Sequence, residues 1–329
     1  MNGLSSAGSP VPSPRAIVPV APTSINWRQF AGITVAALAV FVLLRLLPTG
    51  TNLSHMDFRA TGANAIEFCD PLNPQFISVV SARSPVTMTV APGGVSETGP
   101  GREFRAVVSL QTGSGKPIAP ADLLVTHTRR LHLLIVDRTL ADYQHVHPEP
   151  GRAPETWEFS FTPQLGGSYR VFADFTPAAT SRGLYASADL AVGPAGADRT
   201  NATAGAPVAA VERDGFRFTL VVAPQPPRAG LPFDLRFSIR RPDGGGVNLQ
   251  PVMGAFAHLV AFDEARNGFA HLHPMEVDPL QPPDAVHPVM NFKLTIPQSG
   301  RYVIWAQVNV DGREVFVPFG VEVPGPAGN

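Results

Sequence analysis

A chain of 329 residues with 44% hydrophobic side chains, including 20 Phe, has enough apolar mass for two sizeable cores. Only 16% of residues are charged and the net charge is −1, which excludes the electrostatic footprint of a nucleic-acid-binding protein. The 35 Pro and 30 Gly point to many short strands joined by turns, and the single cysteine, Cys69, excludes an intramolecular disulfide framework.

Residues 1–28 are rich in Pro, Ser and Ala, carry Arg15 and Arg28 but no acid, and are predicted to be a disordered tail. The apolar run Phe30 to Leu47, FAGITVAALAVFVLLRLL, is interrupted only by Arg45 and as a helix would reach about 27 Å. That predicts a membrane-spanning helix over 29–47, with Arg45 snorkelling at one end and Trp27 in the opposite headgroup belt. The basic N-terminal flank places that flank inside. The sequence after the run lacks a small-x-small cleavage site, so the segment reads as a retained anchor rather than a signal peptide. Residues 48–75 read as a polar linker holding His55, Met56 and Cys69.

From Phe76 onward the pattern is β. FISVV, VTMTV, EFRAVVSL, TWEFSF, GSYRVFADF and LYASADLAV are strand-like and separated by turn-forming residues. With the hairpin described below they make about seven strands over residues 76–193, the size of an Ig-like sandwich. Residues 194–205 are a flexible linker, in which Asn201-Ala-Thr203 fits a glycosylation sequon. Residues 206–325 repeat the order with FRFTLVVA, PFDLRFSI, VMNFKLTI, GRYVIWAQV and VFVPFGVEV. The predicted fold class is therefore all-β, two tandem Ig-like sandwiches behind one N-terminal transmembrane helix.

The duplication is clearest in LHLLIVDRTLADYQHVHP (131–148) and AHLVAFDEARNGFAHLHP (257–274). His132, His145 and His147 fall in register with His258, His271 and His273. Asp137 aligns with Asp263, Tyr143 with Phe269, Tyr169 with Tyr302 and Asp174 with Gln307. Each stretch reads as a β-hairpin, and residues at i and i+2 share a sheet face. Folding the hairpin brings the third histidine opposite the H-x-H pair at about 5 Å. Three converging imidazoles form a transition-metal ligand set, predicted once per repeat and losing metal below about pH 6. Five residues upstream stand His127 and Met253, candidate fourth ligands, and the thioether would favour Cu(I) in the second site. His287, in a longer loop of the second repeat, reads as an exposed residue. Cys69 lies outside both repeats, which argues against a blue-copper centre.

The repeated H-L-x-x-x-x-D … H-x-H-P frame resembles bacterial secreted or membrane-anchored proteins with YtkA-like or FixH-like domains. It is also broadly similar to periplasmic copper-binding sandwiches of the CopC type. The resemblance covers roughly residues 76–325. It implies an extracytoplasmic cupredoxin-like sandwich that handles copper, with zinc as the alternative. A copper transporter or a respiratory-oxidase assembly factor is the implied partner. The chain lacks the N-terminal histidine of the CopC domain, so that family's copper geometry does not transfer. Two other readings stand beside it: a structural or interaction ectodomain whose histidines hold the hairpins together, and, more remotely, a zinc hydrolase. The carboxylates nearest the triads, Asp137 and Asp263, fall in the hairpin turns, a poor place for a general base. The expectation is therefore a binder, not an enzyme.

Overall fold

The computed structural model describes residues 26–46, 53–58, 74–81, 84–94, 99–193, 208–276, 278 and 280–325. The chain divides into two compact units, Met1–Pro48 and Thr49–Asn329. Cys69, the Asn201 sequon, the tail before residue 26 and the whole inter-repeat linker, 194–205, lie outside the described residues.

In the first unit the helix expected from the apolar run is present as α1, Trp27–Leu46. Its apolar side chains, among them Phe30, Ile33, Leu38, Phe41 and Leu43, are exposed. Among the described residues no helix is long and apolar enough to cross a membrane.

The second unit is all-β and antiparallel apart from an isolated bridge. The first repeat runs β1 (Val86–Pro92), β2 (Phe104–Thr112), β3 (Leu131–Asp137), β4 (Tyr143–Val146), β5 (Glu149–Pro150), β6 (Thr156–Phe161), β7 (Gly167–Phe175) and β8 (Leu184–Val192). They form two sheets, β1-β2-β6-β5 and β4-β3-β7-β8. The second repeat runs β9 (Ala210–Arg213), β10 (Phe216–Ala223), β11 (Pro232–Arg240), β12 (Leu249–Gln250), β13 (His258–Asp263), β14 (Phe269–Leu272), β15 (Val289–Thr295), β16 (Gly300–Val310) and β17 (Arg313–Val323). Its sheets are β15-β11-β10-β9 and β12-β16-β13-β14, with β17 on β16. The order β1-β2-β6 recurs as β10-β11-β15, and β4-β3-β7-β8 as β14-β13-β16-β17, so the duplication is one of topology as well as sequence.

Burial explains two kinds of strand. In β11, Phe233, Leu235, Phe237 and Ile239 point inward while Asp234, Arg236 and Arg240 face solvent. This is the period-2 pattern of a sheet with one wet face. In β3 every residue of LHLLIVD is buried. Leu131, Leu133 and Ile135 join the core of their own repeat. Leu134 and Val136, on the opposite face, join a third core with Leu140, Tyr143, Phe172 and Tyr185 from repeat one and Val260, Phe262, Phe269, Val303 and Trp305 from repeat two. The His-bearing sheets of the two repeats thus pack against each other. Phe172 lies 5.9 Å from Phe262 and 5.2 Å from Phe269, and Tyr143 lies 5.3 Å from Phe262. The contacts are reciprocal, as at a two-fold interface. Arg170 donates to the Arg266 carbonyl at 3.0 Å and Arg266 to the Ser168 carbonyl at 3.4 Å. Trp305 Nε1–H donates to the Leu140 carbonyl at 3.2 Å.

One predicted strand is placed differently. FISVV, expected to open repeat one, lies against repeat two: the Phe76 amide donates to the Thr295 carbonyl and the Ile77 amide to the Phe269 carbonyl. Phe76 is buried in the second repeat's core, so the first strand of repeat one is β1 at Val86. The linker before it is likewise more than a spacer, since Phe58, at the end of a short 3-10 turn (His55–Phe58), is buried in the first repeat's core. His55 and Met56 are exposed there.

Candidate metal centre

Along β3, His132 shares its face with Leu134 and Val136, and on β4 His145 shares its face with Tyr143. The first triad therefore sits at the polar end of the interface between repeats. Hydrogen bonds fix the tautomers of two of its members. His132 Nε2–H donates to the Thr126 carbonyl at 3.0 Å, which leaves Nδ1 as the lone-pair nitrogen. His145 Nδ1–H donates to Gln307 Oε1 of the other repeat at 2.9 Å, which leaves Nε2. These two lone-pair nitrogens face each other at 3.3 Å, and His147 Nε2 lies 3.2 Å from His132 Nδ1. Ligands about 2.0–2.1 Å from a tetrahedral metal sit about 3.3 Å apart, so the spacing is that of a coordination shell.

The second triad repeats the arrangement. His258 Nε2–H donates to the Val252 carbonyl at 2.8 Å, and His271 Nδ1–H donates to Asp174 Oδ2 of the first repeat at 3.1 Å. The remaining nitrogens, His258 Nδ1 and His271 Nε2, are buried with no hydrogen-bond partner, and so is His273 Nε2. In each triad the ligand atoms lie within 4.8 Å of one another. An unpartnered buried imidazole nitrogen costs about 1–3 kcal/mol, and three in one place call for a common electrophile.

The two triads are neighbours rather than the separate sites expected. Ring centroids of His145 and His271 lie 5.2 Å apart, those of His132 and His271 5.8 Å, and those of His145 and His258 6.2 Å. His127 also crosses over. Its ring stacks on His273 of the other repeat at 3.8 Å and lies 6.3 Å from His132, so it abuts the second triad more closely than its own. His127 and Met253 occupy equivalent two-residue turns, with φ of 49° and 51°, between the bridged pairs Thr126–Arg129 and Val252–Ala255. Met253 is half-buried there. His287 is exposed, with its amide bonded to Asp284.

Burial holds the whole cluster neutral. It is the leading cause that lowers His147 to about 3 and His258 to about 4 from an ordinary 6.5, and that puts His145 and His271 well below it. His127, His132 and His273 are lowered for the same reason, and Asp174 nearby opposes the shift in His127 and His132. Burial in turn raises Asp174. Neutral imidazoles are set up as ligands, and in His132, His145, His258 and His271 the outer nitrogen is already hydrogen-bonded. Asp137 is not available for chemistry. Its carboxylate accepts from the Thr139, Ala141 and Asp142 amides and closes the hairpin turn, as Asp263 does through Gly268.

The residues that sequence reasoning missed as part of the site are Asp174 and Gln307. Their alignment with each other was the available signal. Asp174 pairs with His132, and Gln307 with His258, in the strand register.

A family model matches residues 85–189 and again 209–325. The chain belongs to DUF8832, a domain of unknown function. The two matched segments coincide with the two sandwiches. No curated protein matches the chain. Among solved structures it is similar to FdeC, an adhesin of Escherichia coli, at 14% identity and a TM-score of 0.21, covering 72% of this chain and 64% of that one. A DUF4785 family protein of Legionella pneumophila gives 9% identity and a TM-score of 0.22, over 72% of this chain and 55% of the other. The chain thus spans less than two thirds of either, and at such scores the likeness carries no argument.

Proposed function

We propose that this protein binds transition-metal ions in the two His triads, copper first and zinc as the alternative, and buffers or delivers them outside the cytoplasm. The observation that carries the reading is the set of three buried nitrogens, His258 Nδ1, His271 Nε2 and His273 Nε2, that converge without a partner. The 3.2–3.3 Å spacing in the first triad supports it independently. An all-imidazole set suits copper and zinc alike. The YtkA-like, FixH-like and CopC-type resemblance favours copper, a cupredoxin-like fold and a transporter or oxidase-assembly partner. The Ig-like reading of the two sandwiches draws on Tyr169 and Tyr302, whose hydroxyls each donate to a carbonyl four residues upstream, at Leu165 and Gln298. Attachment to the cytoplasmic membrane draws on the apolar run from Phe30 to Leu47. With Asp137 and Asp263 committed to turns, the reading is a binder rather than an enzyme.

A structural role has one observation in its favour: His145 and His271 bond across the interface to Gln307 and Asp174. Those bonds use only the Nδ1 atoms and leave the converging nitrogens of the second triad without a partner. The test is the metal content of the full chain, purified after growth with copper and zinc and dialysed without chelator. Close to two equivalents per chain, lost in His145→Ala/His271→Ala, is the expected result. A metal-free wild type at micromolar free Cu or Zn would leave the structural reading.

A further inference from the structure

The two triads are alike in their ligands and unlike in what stands behind them. His271 gives its Nδ1–H directly to a carboxylate, Asp174 Oδ2, at 3.1 Å. His145, its counterpart, gives its Nδ1–H to the neutral amide oxygen of Gln307 at 2.9 Å. The nearest acid along that path, Glu314, is one residue further away and is reached through Gln307 Nε2 at 3.1 Å. A carboxylate bonded to a ligand imidazole increases its basicity and offsets the charge of a cation. Asp174 makes that hydrogen bond to the second triad alone, although its charge also reaches His132 of the first, and it is a side chain of the first repeat. The first triad also has a way out. His147 lines an open groove together with Glu103, Arg105, Glu149, Arg152 and Glu158, so an ion there has a path to solvent edged with charged side chains.

We infer that the triads are a retaining site and an exchanging site: His258, His271 and His273 hold one ion tightly, and His132, His145 and His147 hold a second that leaves through the groove. Asp174 acts on the retaining site as a positioning residue, through His271, and Gln307 is its weaker counterpart. The close approach of the triads adds to the inequality, because a second dication enters the field of the first. This inference rests on the metal-binding reading and assigns that reading an internal division of labour.

The test loads the full chain with Cu(II), removes excess, and follows loss of copper to a chelator. The wild type is expected to lose one equivalent rapidly and one slowly, with rates at least about tenfold apart. His147→Ala should remove the rapid equivalent. Asp174→Asn, nearly the same shape, should accelerate the slow phase by about 10–100-fold and change the Cu(II) electron paramagnetic resonance parameters of that equivalent. Gln307→Glu combined with Glu314→Gln, which avoids two facing acids, should slow the rapid phase. That gain keeps the test decisive if Asp174→Asn fails to fold by circular dichroism. A single phase for two equivalents, a total of one equivalent, or a slow phase indifferent to Asp174→Asn would overturn the inference and leave metal binding intact. A wild type that retains no Cu(II) would overturn this inference, and one that retains no Zn(II) either would instead overturn the proposed function.

Discussion

Seven histidines in a desolvated interface face a choice between a proton and a metal, and burial settles it against the proton. His147 and His258 titrate at about 3 and about 4 when folded, against about 6.5 for a free imidazole. Between those limits the unfolded chain binds protons that the folded chain refuses. Stability of the metal-free protein therefore falls as pH drops below about 6.5 and is flat, for these groups, above it. The melting temperature of the metal-free protein should decline between pH 7 and pH 4.5; a value unchanged over that range would contradict the buried neutral cluster. Proton competition for metal should begin near pH 5 or lower, not near the pH 6 expected of an unperturbed triad. Metal retention across a pH series measures the difference. A neighbouring residue gives a test free of metal. Tyr143 Oη is buried without a partner, so Tyr143→Phe removes an unsatisfied hydroxyl and should leave stability unchanged or slightly higher. A loss of more than about 1 kcal/mol would mean that the hydroxyl has a partner.

At the scale of elements, much was legible because duplication writes each strand twice. The hairpins, the H-x-H pairs and the alignment of Tyr169 with Tyr302 all followed from spacing, and the strand registers reproduce them. The face that the hairpins present to each other did not follow. LHLLIV carries no alternation, which is the mark of a strand covered on both sides, but an apolar run does not say what covers it. FISVV was misplaced for a similar reason: five residues of strand pattern carry no information about which sheet edge accepts them. His127 shows the limit for side chains, since its sequence neighbours belong to one triad and its stacking partner to the other. The interface itself is testable. Trp305 is buried in the shared core and donates across it to Leu140. Trp305→Ala should cost about 3–5 kcal/mol in denaturant unfolding, the usual range for a buried aromatic. It should also reduce copper retention by loosening both triads. Wild-type stability in this variant would show that the repeats do not depend on each other.

For the whole molecule, the consequence is that neither repeat is finished alone. The first would expose Leu134, Val136, Phe172 and Tyr185, and the second Val260, Phe262, Phe269 and Trp305, each a contiguous apolar patch. Residues 84–193 and 208–325 produced separately should self-associate in size-exclusion chromatography, and mixed they should recover the intact profile. Two well-behaved monomers that ignore each other would contradict the shared core. The same dependence carries the functional reading, because each triad takes its hydrogen-bonded support from the opposite repeat, Gln307 for His145 and Asp174 for His271. The most direct test is X-ray absorption on the copper-loaded full chain. The account predicts a nearest shell of nitrogen at about 2.0 Å with the outer-shell scattering of imidazole rings, lost when His145 and His271 are both replaced by Ala. A shell of oxygen only, or an imidazole signal that survives that double replacement, would contradict it.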